Sequence, residues 1–417
     1  LPEALSNGLC SLKPDENRPC LAVHMWIAPN GGLTRHTFVR GLMKSTARLT
    51  YLEVQEIHDG RRDDQTATLL ATVIKPLYGA FETLLKFRNH RSALELDIPE
   101  RRIEVADDGT VHAITKHERL DSHRLIEEFM ITANVAAAET LEKYRQPCMY
   151  RIHDRPSKEK AEALNQFLRS LDLQIDKGQV PQPRLFNKIL SFVAGEPEAY
   201  LVNQMILRSQ AQAEYSPRNI GHFGLSLRRY AHFTSPIRRY ADLLVHRALV
   251  SGLKLGAGGL DNEGEDFETL AGHISATERN AAKAERRAVD RFTALYMADQ
   301  VGAAFAAHVN GVSRAGLFVT LKDSGADGLV PIRTLPNDYY ALDPILHTLT
   351  GTSHGLVFRL GQELAVRLEE AIPLTGGLIM TVVGSEQTAV PNGPKRGKNH
   401  ITNRRPSPKQ RRGRRRF

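Results

Sequence analysis

Residues 221–250 read GHFGLSLRRYAHFTSPIRRYADLLVHRALV, and no other stretch of the 417-residue chain says as much about its architecture. Two arginine pairs, Arg228–Arg229 and Arg238–Arg239, lie on either side of a Thr-Ser-Pro sequence of the kind that starts a helix. Thr234 or Ser235 suits the N-cap and Pro236 the first turn, where its missing N–H costs nothing. The pattern predicts a helix over 236–252 with Arg238 and Arg239 in its first turn. Unpaired backbone N–H groups and the positive helix end would reinforce both guanidinium charges there, which favours a phosphate. The competing account pairs Arg238 with Asp242, four residues along the same face. His222 and His232 are weaker candidates as phosphate donors, with structural roles as the alternative.

Working outward, 25% charged and 41% apolar residues describe a soluble globular chain, long enough for roughly two to four domains. No apolar run approaches the ~18 residues of a membrane span, and no signal-peptide pattern opens the chain. Cys10, Cys20 and Cys148 are odd in number and lack CxxC spacing, so reduced thiols in the cytosol are expected and a zinc site is not. The tail from 384 to 417 holds eleven Lys and Arg against the single acid Glu386, and so carries all of the formal net charge of +9. With almost no apolar side chains it cannot bury enough surface to fold, and its cations attract polyanions.

The body divides by pattern. Residues 1–298 mix strand-like stretches with helices expected over 121–145, 158–172, 197–213, 236–252 and 272–300, which is α+β in character. Helix 121–145 carries an apolar stripe at Leu125, Ile126, Phe129, Met130, Ala133 and Ala137, interrupted by Glu127, Glu128 and Asn134. On residue type alone such carboxylates belong at the solvent boundary. From 299 to 384 the text changes to five short, partly alternating apolar runs, AAFAAHVNGVS, AGLFVTL, DGLVPI, LAVRLEEAI and GLIMTVV, as in a small barrel. In the second of these, Leu317 and Val319 must point opposite to Phe318, which frees Phe318 for stacking on a base. His308 is the second choice.

The string 221–250 closely resembles the C-terminal signature of the RNB family of hydrolytic 3′-to-5′ exoribonucleases. LPEALSNGLCSLKPDENRPCLAVHM at 1–25, STARLTY at 45–51, HRLIEEFMITAN at 123–134, RIHDRPS at 151–157 and NDYYALD at 337–343 are similar to further family segments, in the family's order. HFGL, NDYY and the basic tail resemble the ribonuclease R branch more than the ribonuclease II branch. The runs from 299 to 384 resemble an S1-type OB-fold barrel, whose exposed strands bind single-stranded RNA. Three regions are thus expected: an RNB domain at 1–298, incomplete at its N-terminus, an S1-type domain at 299–384 and a disordered basic tail at 385–417.

The resemblance implies roles residue by residue. Arg238 matches the arginine that contacts the scissile phosphate, while Arg239 binds backbone or serves structure. Glu128, with Glu127 as fallback, and Tyr51 match the pair that reads the ribose of the substrate; a carboxylate accepts from a 2′-OH that DNA lacks. Glu285 resembles a glutamate near the last nucleotides, an ion pair with Arg286 or Arg287 being the alternative. The family's magnesium ions are held by an aspartate cluster that precedes LPEALSNGLCSL, so metal ligands are expected upstream of Leu1 and none within the chain. Asp59, Asp63 and Asp64 read instead as a solvated charge cluster. The expected activity is processive, magnesium-dependent release of nucleoside 5′-monophosphates by a cytoplasmic monomer acting on single-stranded RNA and 3′ overhangs. Residues 1–417 alone are expected to be inactive. The alternative is a non-catalytic RNA-binding protein that keeps the RNB channel and the barrel.

Overall fold

An antiparallel ribbon, β1 (Asn17–Ile27) and β2 (Leu33–Lys44), opens the fold. The computed structural model describes residues 2–61, 66–97, 101–116, 119–173, 181–196, 198–260, 266–344 and 346–384. Helices α1 (Tyr51–His58), α2 (Thr66–Leu69) and α3 (Lys75–Arg91) follow, then a hairpin of β3 (Arg101–Val105) and β4 (Val111–Lys116) and the long helix α4 (Asp121–Lys143). Next come β5 (Tyr150–Ile152), α5 (Lys158–Ser170), α6 (Pro183–Val193), α7 (Ala199–Ser209) and β6 (Glu214–Ser216), the last pairing antiparallel with β5. Helices α8 (Tyr240–Gly252) and α9 (Phe267–Met297) complete this part. No helix among the described residues is long and apolar enough to cross a membrane.

Local chemistry sets several of these starts. Thr50 accepts from the Glu53 N–H while Glu53 reaches back to the Thr50 N–H, a capping box that begins α1. Ser157 caps α5, and the Asp266 carboxylate caps α9 by accepting from the N–H groups of Glu268 and Thr269. The main core lies between α4, α8 and the ribbon. Ala136, Ala137 and Ala138 of α4 are fully buried, and their small side chains leave room for Ala241, Leu244, Val245, Ala248 and Leu249 of α8, also fully buried. Truncating Leu244 to Ala there would cost about 2–5 kcal/mol.

The α4 stripe differs from the sequence expectation. Ile126 is 38% exposed, whereas Glu128 at 3% and Asn134 at 2% are buried. Each polar side chain has partners from other elements, which a periodicity argument cannot see. The helix bounds also shift: α4 ends at Lys143, α5 at Ser170, α7 spans Ala199–Ser209 and α9 begins earlier, at Phe267.

Beyond α9, β7 (Ala304–Ser313), β8 (Gly316–Leu321) and β9 (Asp327–Pro331) are followed by β10 (Tyr340–Asp343), β11 (Thr348–Gly351), β12 (Val357–Arg359), β13 (Glu363–Ile372) and β14 (Gly377–Val382). The five predicted runs are the five strands of a closed barrel, ordered β13-β14-β9-β8-β7. The small sheet β10-β11-β12, inserted between β9 and β13, was not expected. Its strands are three or four residues long, too short for alternation to register.

The barrel packs directly on the helical part. Ala294 and Met297 of α9 enter the barrel core, Arg101 of β3 pairs with Asp327 at 2.9 Å, and Arg208 of α7 donates to the Asn310 carbonyl at 2.7 Å. Two barrel-domain glycines with positive φ touch the helices so closely that a Cβ has no room. On Gly361 it would stand 2.8 Å from Leu201 Cδ2, and on Gly376 2.7 Å from Asp290 Cβ.

Candidate nucleic-acid interface

The segment that leads into α8 is fixed by two buried side chains. Asn134 of α4 accepts from the Phe233 N–H at 2.8 Å and donates to the Tyr230 hydroxyl at 2.9 Å. Asp242, fully buried, accepts from the Ser235 N–H at 2.7 Å and from both Nε and Nη2 of Arg239 at 2.8 Å. Because Asp242 takes the Ser235 N–H and the Arg239 fork, a separate turn forms over Pro236–Arg238 and α8 starts at Tyr240. This corrects two expectations. Neither Thr234 nor Ser235 caps α8, whose N-cap is Arg239, and the carboxylate pairs with Arg239 and not with Arg238. Arg238 is exposed, and while its backbone N–H donates to the Ser235 carbonyl at 3.3 Å, its guanidinium has no hydrogen bond or ion pair among the described residues. The two neighbouring arginines thus split into one neutralised fork and one free fork, with the free one at the position assigned to the phosphate.

His222 and His232 sit behind this turn and are structural. His222 Nδ1 accepts from the Leu225 N–H at 3.2 Å, and His232 Nδ1 is 2.9 Å from the Tyr215 hydroxyl. Burial, reinforced by His153 and Arg151, pushes the His222 pKa down to about 3. Burial, with Arg239 and Arg151, pushes that of His232 down to about 2. Both rings are therefore neutral at physiological pH and make poor anion holders.

Glu128 lines a cavity of about 1000 Å³ together with Arg88, Arg124, His153, His222 and Leu96. Its Oε1 accepts from Arg88 Nη1 at 2.7 Å, whereas its Oε2 has only Arg91 Nη2 at 3.7 Å, beyond hydrogen-bond distance. One carboxylate oxygen thus has a hydrogen bond and the other has none and is available to a donor. Two cations with side chains 12% and 13% exposed give this buried carboxylate its charge partners. Arg88 and Arg91 were missed from sequence. Their three-residue spacing in FRNHR, which puts both on one face at the end of α3, is the signal that was there. Glu127, the fallback, lines the same cavity and pairs with Arg119 nearer the surface.

Tyr51 is the first residue of α1, 44% exposed, with its ring stacked on His123 at 4.2 Å between centroids. His123 precedes Glu128 by five residues, about 7.5 Å along α4. Tyr51 is not in the lining of the Glu128 cavity, so the proposed pair shares a helix packing but not a cavity. Glu285 is exposed on α9 and forms no ion pair with Arg286 or Arg287. Phe318 is 43% exposed on β8 while Leu317 and Val319 are fully buried, as the alternation required. His308 instead packs edge-on against Tyr200 of α7, in the cleft between barrel and helices. Asp59 accepts from the Gln55 side chain; Asp63, Asp64 and the tail 385–417 lie outside the described residues. Among the described residues no group of three or more His, Cys, Asp or Glu is placed to hold a metal ion.

Comparison with known proteins identifies both parts of the chain. The RNB domain family matches residues 1–254 and the S1 RNA binding domain family matches residues 298–382. Ribonuclease R of Escherichia coli is 40% identical over 380 residues, covering 88% of this chain and 47% of the relative. Ribonuclease R of Aquifex aeolicus is 38% identical over 378 residues, covering 88% and 52%. The chain therefore spans about half the length of the curated relatives it matches. Among solved structures, Mycoplasma genitalium RNase R in complex with ribose methylated single-stranded RNA superposes with a TM-score of 0.86 at 26% identity, covering 92% of this chain and 60% of that one. Yeast Ssd1, a pseudonuclease, shares the fold with a TM-score of 0.62 at 16% identity, over 89% and 44%.

Proposed function

The chain belongs to the RNB family, and on that premise we propose that it forms the RNB and S1 portion of a ribonuclease R-type 3′-to-5′ exoribonuclease. The reaction proposed is processive hydrolysis of RNA to nucleoside 5′-monophosphates, on single-stranded RNA and 3′ overhangs, by a cytoplasmic monomer. The observation that carries it is the unpartnered guanidinium of Arg238 on a turn held by Asp242. Negative charge builds on the phosphoryl oxygens during phosphodiester hydrolysis, and a two-pronged guanidinium presented from a held turn would stabilise that charge more in the transition state than before it. Glu128 is proposed to accept from a ribose 2′-OH through Oε2, the oxygen with no hydrogen bond, with Tyr51 and Glu285 as further RNA contacts. Phe318 would stack on a base, Arg239 would hold the turn, and the tail 385–417 would add nonspecific attraction to the phosphate backbone.

Magnesium is the metal proposed for the reaction, where it would supply activated water and neutralise charge at the phosphate. The described residues do not fit a two-metal site, so no step is assigned to metal ligands in this chain. A second reading follows for residues 1–417 taken alone, namely RNA binding without hydrolysis.

The test joins residues 1–417 to the N-terminal half of the Escherichia coli relative. In that protein Arg238→Lys should keep RNA affinity within a few-fold and lower turnover by roughly 10²–10³, because a point charge cannot reproduce a two-pronged contact. Near-normal turnover would remove Arg238 from the reaction. Residues 1–417 alone should bind RNA and release no mononucleotide with magnesium present; robust release would place metal ligands within the chain.

A further inference from the structure

A second cleft, of about 420 Å³, shares His153 and His222 with the Glu128 cavity as a common wall. Its size falls within the roughly 300–1,000 Å³ of small-molecule sites. Four arginines line it, Arg91, Arg155, Arg184 and Arg228, against the single carboxylate of Asp154. They come from four places in the chain: the end of α3, the loop after β5, the first turn of α6 and the loop before Tyr230. Arg155, Arg184 and Arg228 have no ion-pair partner among the described residues. Like charges gathered from separate elements repel one another and weaken the fold unless a counter-ion joins them. The two histidines in the wall have no anionic form with which to compensate; burial favours their neutral form, so they add little to the positive charge. Arg91 completes the picture: its Nη2 is buried, makes no hydrogen bond and lies 3.7 Å from Glu128.

We propose that this cleft is a binding site for a phosphate monoester, either a free nucleoside 5′-monophosphate or the 5′-phosphorylated end of an RNA. A monoester carries about −1.5 to −2 charge at neutral pH and three acceptor oxygens, which matches several guanidinium forks better than a singly charged diester does. The site is separate from Arg238 and does not depend on the nuclease reading.

Titration calorimetry of residues 1–417 with AMP, adenosine and inorganic phosphate tests it. AMP and phosphate should bind saturably and adenosine should not. The double variant Arg155→Gln, Arg228→Gln should weaken AMP binding at least tenfold, with its urea midpoint not lowered, because both side chains are exposed and unpaired and their removal relieves repulsion. Absence of saturable AMP binding by the unmodified chain overturns the proposal, as does equal binding by the double variant. A 5′-phosphorylated dinucleotide that binds more tightly than AMP identifies an RNA end as the occupant; AMP binding at least as tightly identifies the free nucleotide. RNA affinity measured on the same samples keeps the two readings apart, since a chain that binds RNA but not AMP fails only here.

Discussion

Glu128 lies 3% exposed between two arginines, while Phe318 stands 43% exposed on a strand whose neighbours Leu317 and Val319 are fully buried. The first site is made of charge taken out of water, and every member depends on the others being present. The second is a single ring on a scaffold that is complete without it. In the first, the proposed specificity would rest on the same interactions as stability; in the second the two would be separable. If the proposed roles hold, an interface built both ways would distinguish sugars at one end and tolerate any base at the other, since every base has a π-face and only ribose offers a 2′ donor.

The sharpest way to break this comparison is stability. Glu128→Ala leaves Arg91 buried without a carboxylate and Arg88 with only Glu95 at 3.5 Å, and should cost about 3–5 kcal/mol in urea unfolding, whereas Phe318→Ala should stay within about 0.5 kcal/mol. Equal losses would mean that the ring is core or that the arginines find water.

Acid comes next. His222 and His232 are held neutral by the fold, with pKa values near 3 and 2, against about 6.5 in the unfolded chain. The unfolded state therefore takes up protons first as pH falls. Their contribution is level above pH ~6.5 and is lost progressively toward the folded values, about 2 kcal/mol per histidine at pH 5. Unfolding free energy measured from pH 8 to pH 5 should show that slope, and a variant with both replaced by glutamine should flatten it. An unchanged slope would mean the histidines take up protons inside the native protein.

The smallest effect sharpens the comparison most. Phe318→Ala should weaken RNA and DNA oligonucleotides alike, by roughly tenfold, because stacking ignores the sugar. Glu128→Gln, which keeps the shape but weakens the acceptor, should narrow the gap between RNA and DNA while leaving DNA binding nearly as it was. A Phe318 variant that discriminates sugars, or a Glu128 variant that does not, would reverse the assignment.

The same contrast governs what could be read from the sequence. The barrel was legible because a strand alternates every second residue, and Leu317-Phe318-Val319 states its own orientation. Glu128 was found by resemblance, but its burial was not, because its counter-ions lie 40 and 37 positions upstream and nothing local announces them. The start of α8 was misplaced for a related reason. Thr-Ser-Pro is a sound cap signal, yet Asp242, seven residues ahead, binds the Ser235 N–H and holds the chain in a separate turn. Local rules failed where a side chain from elsewhere competed for the same backbone group.

The two close-packed glycines decide how this protein can be rebuilt. Barrels of this kind look interchangeable when drawn as beads on a string, and a graft across α9 appears to need only a matching linker. Gly361 against Leu201 and Gly376 against Asp290 leave no clearance for any side chain. A transplanted barrel with residues other than glycine at those two points would have to stand off from the helices, giving up the Arg101 and Arg208 contacts and turning a fixed angle into a loose joint. The domain is modular as a unit of inheritance but not as a machine part, and two hydrogen atoms where side chains would be are what make the difference.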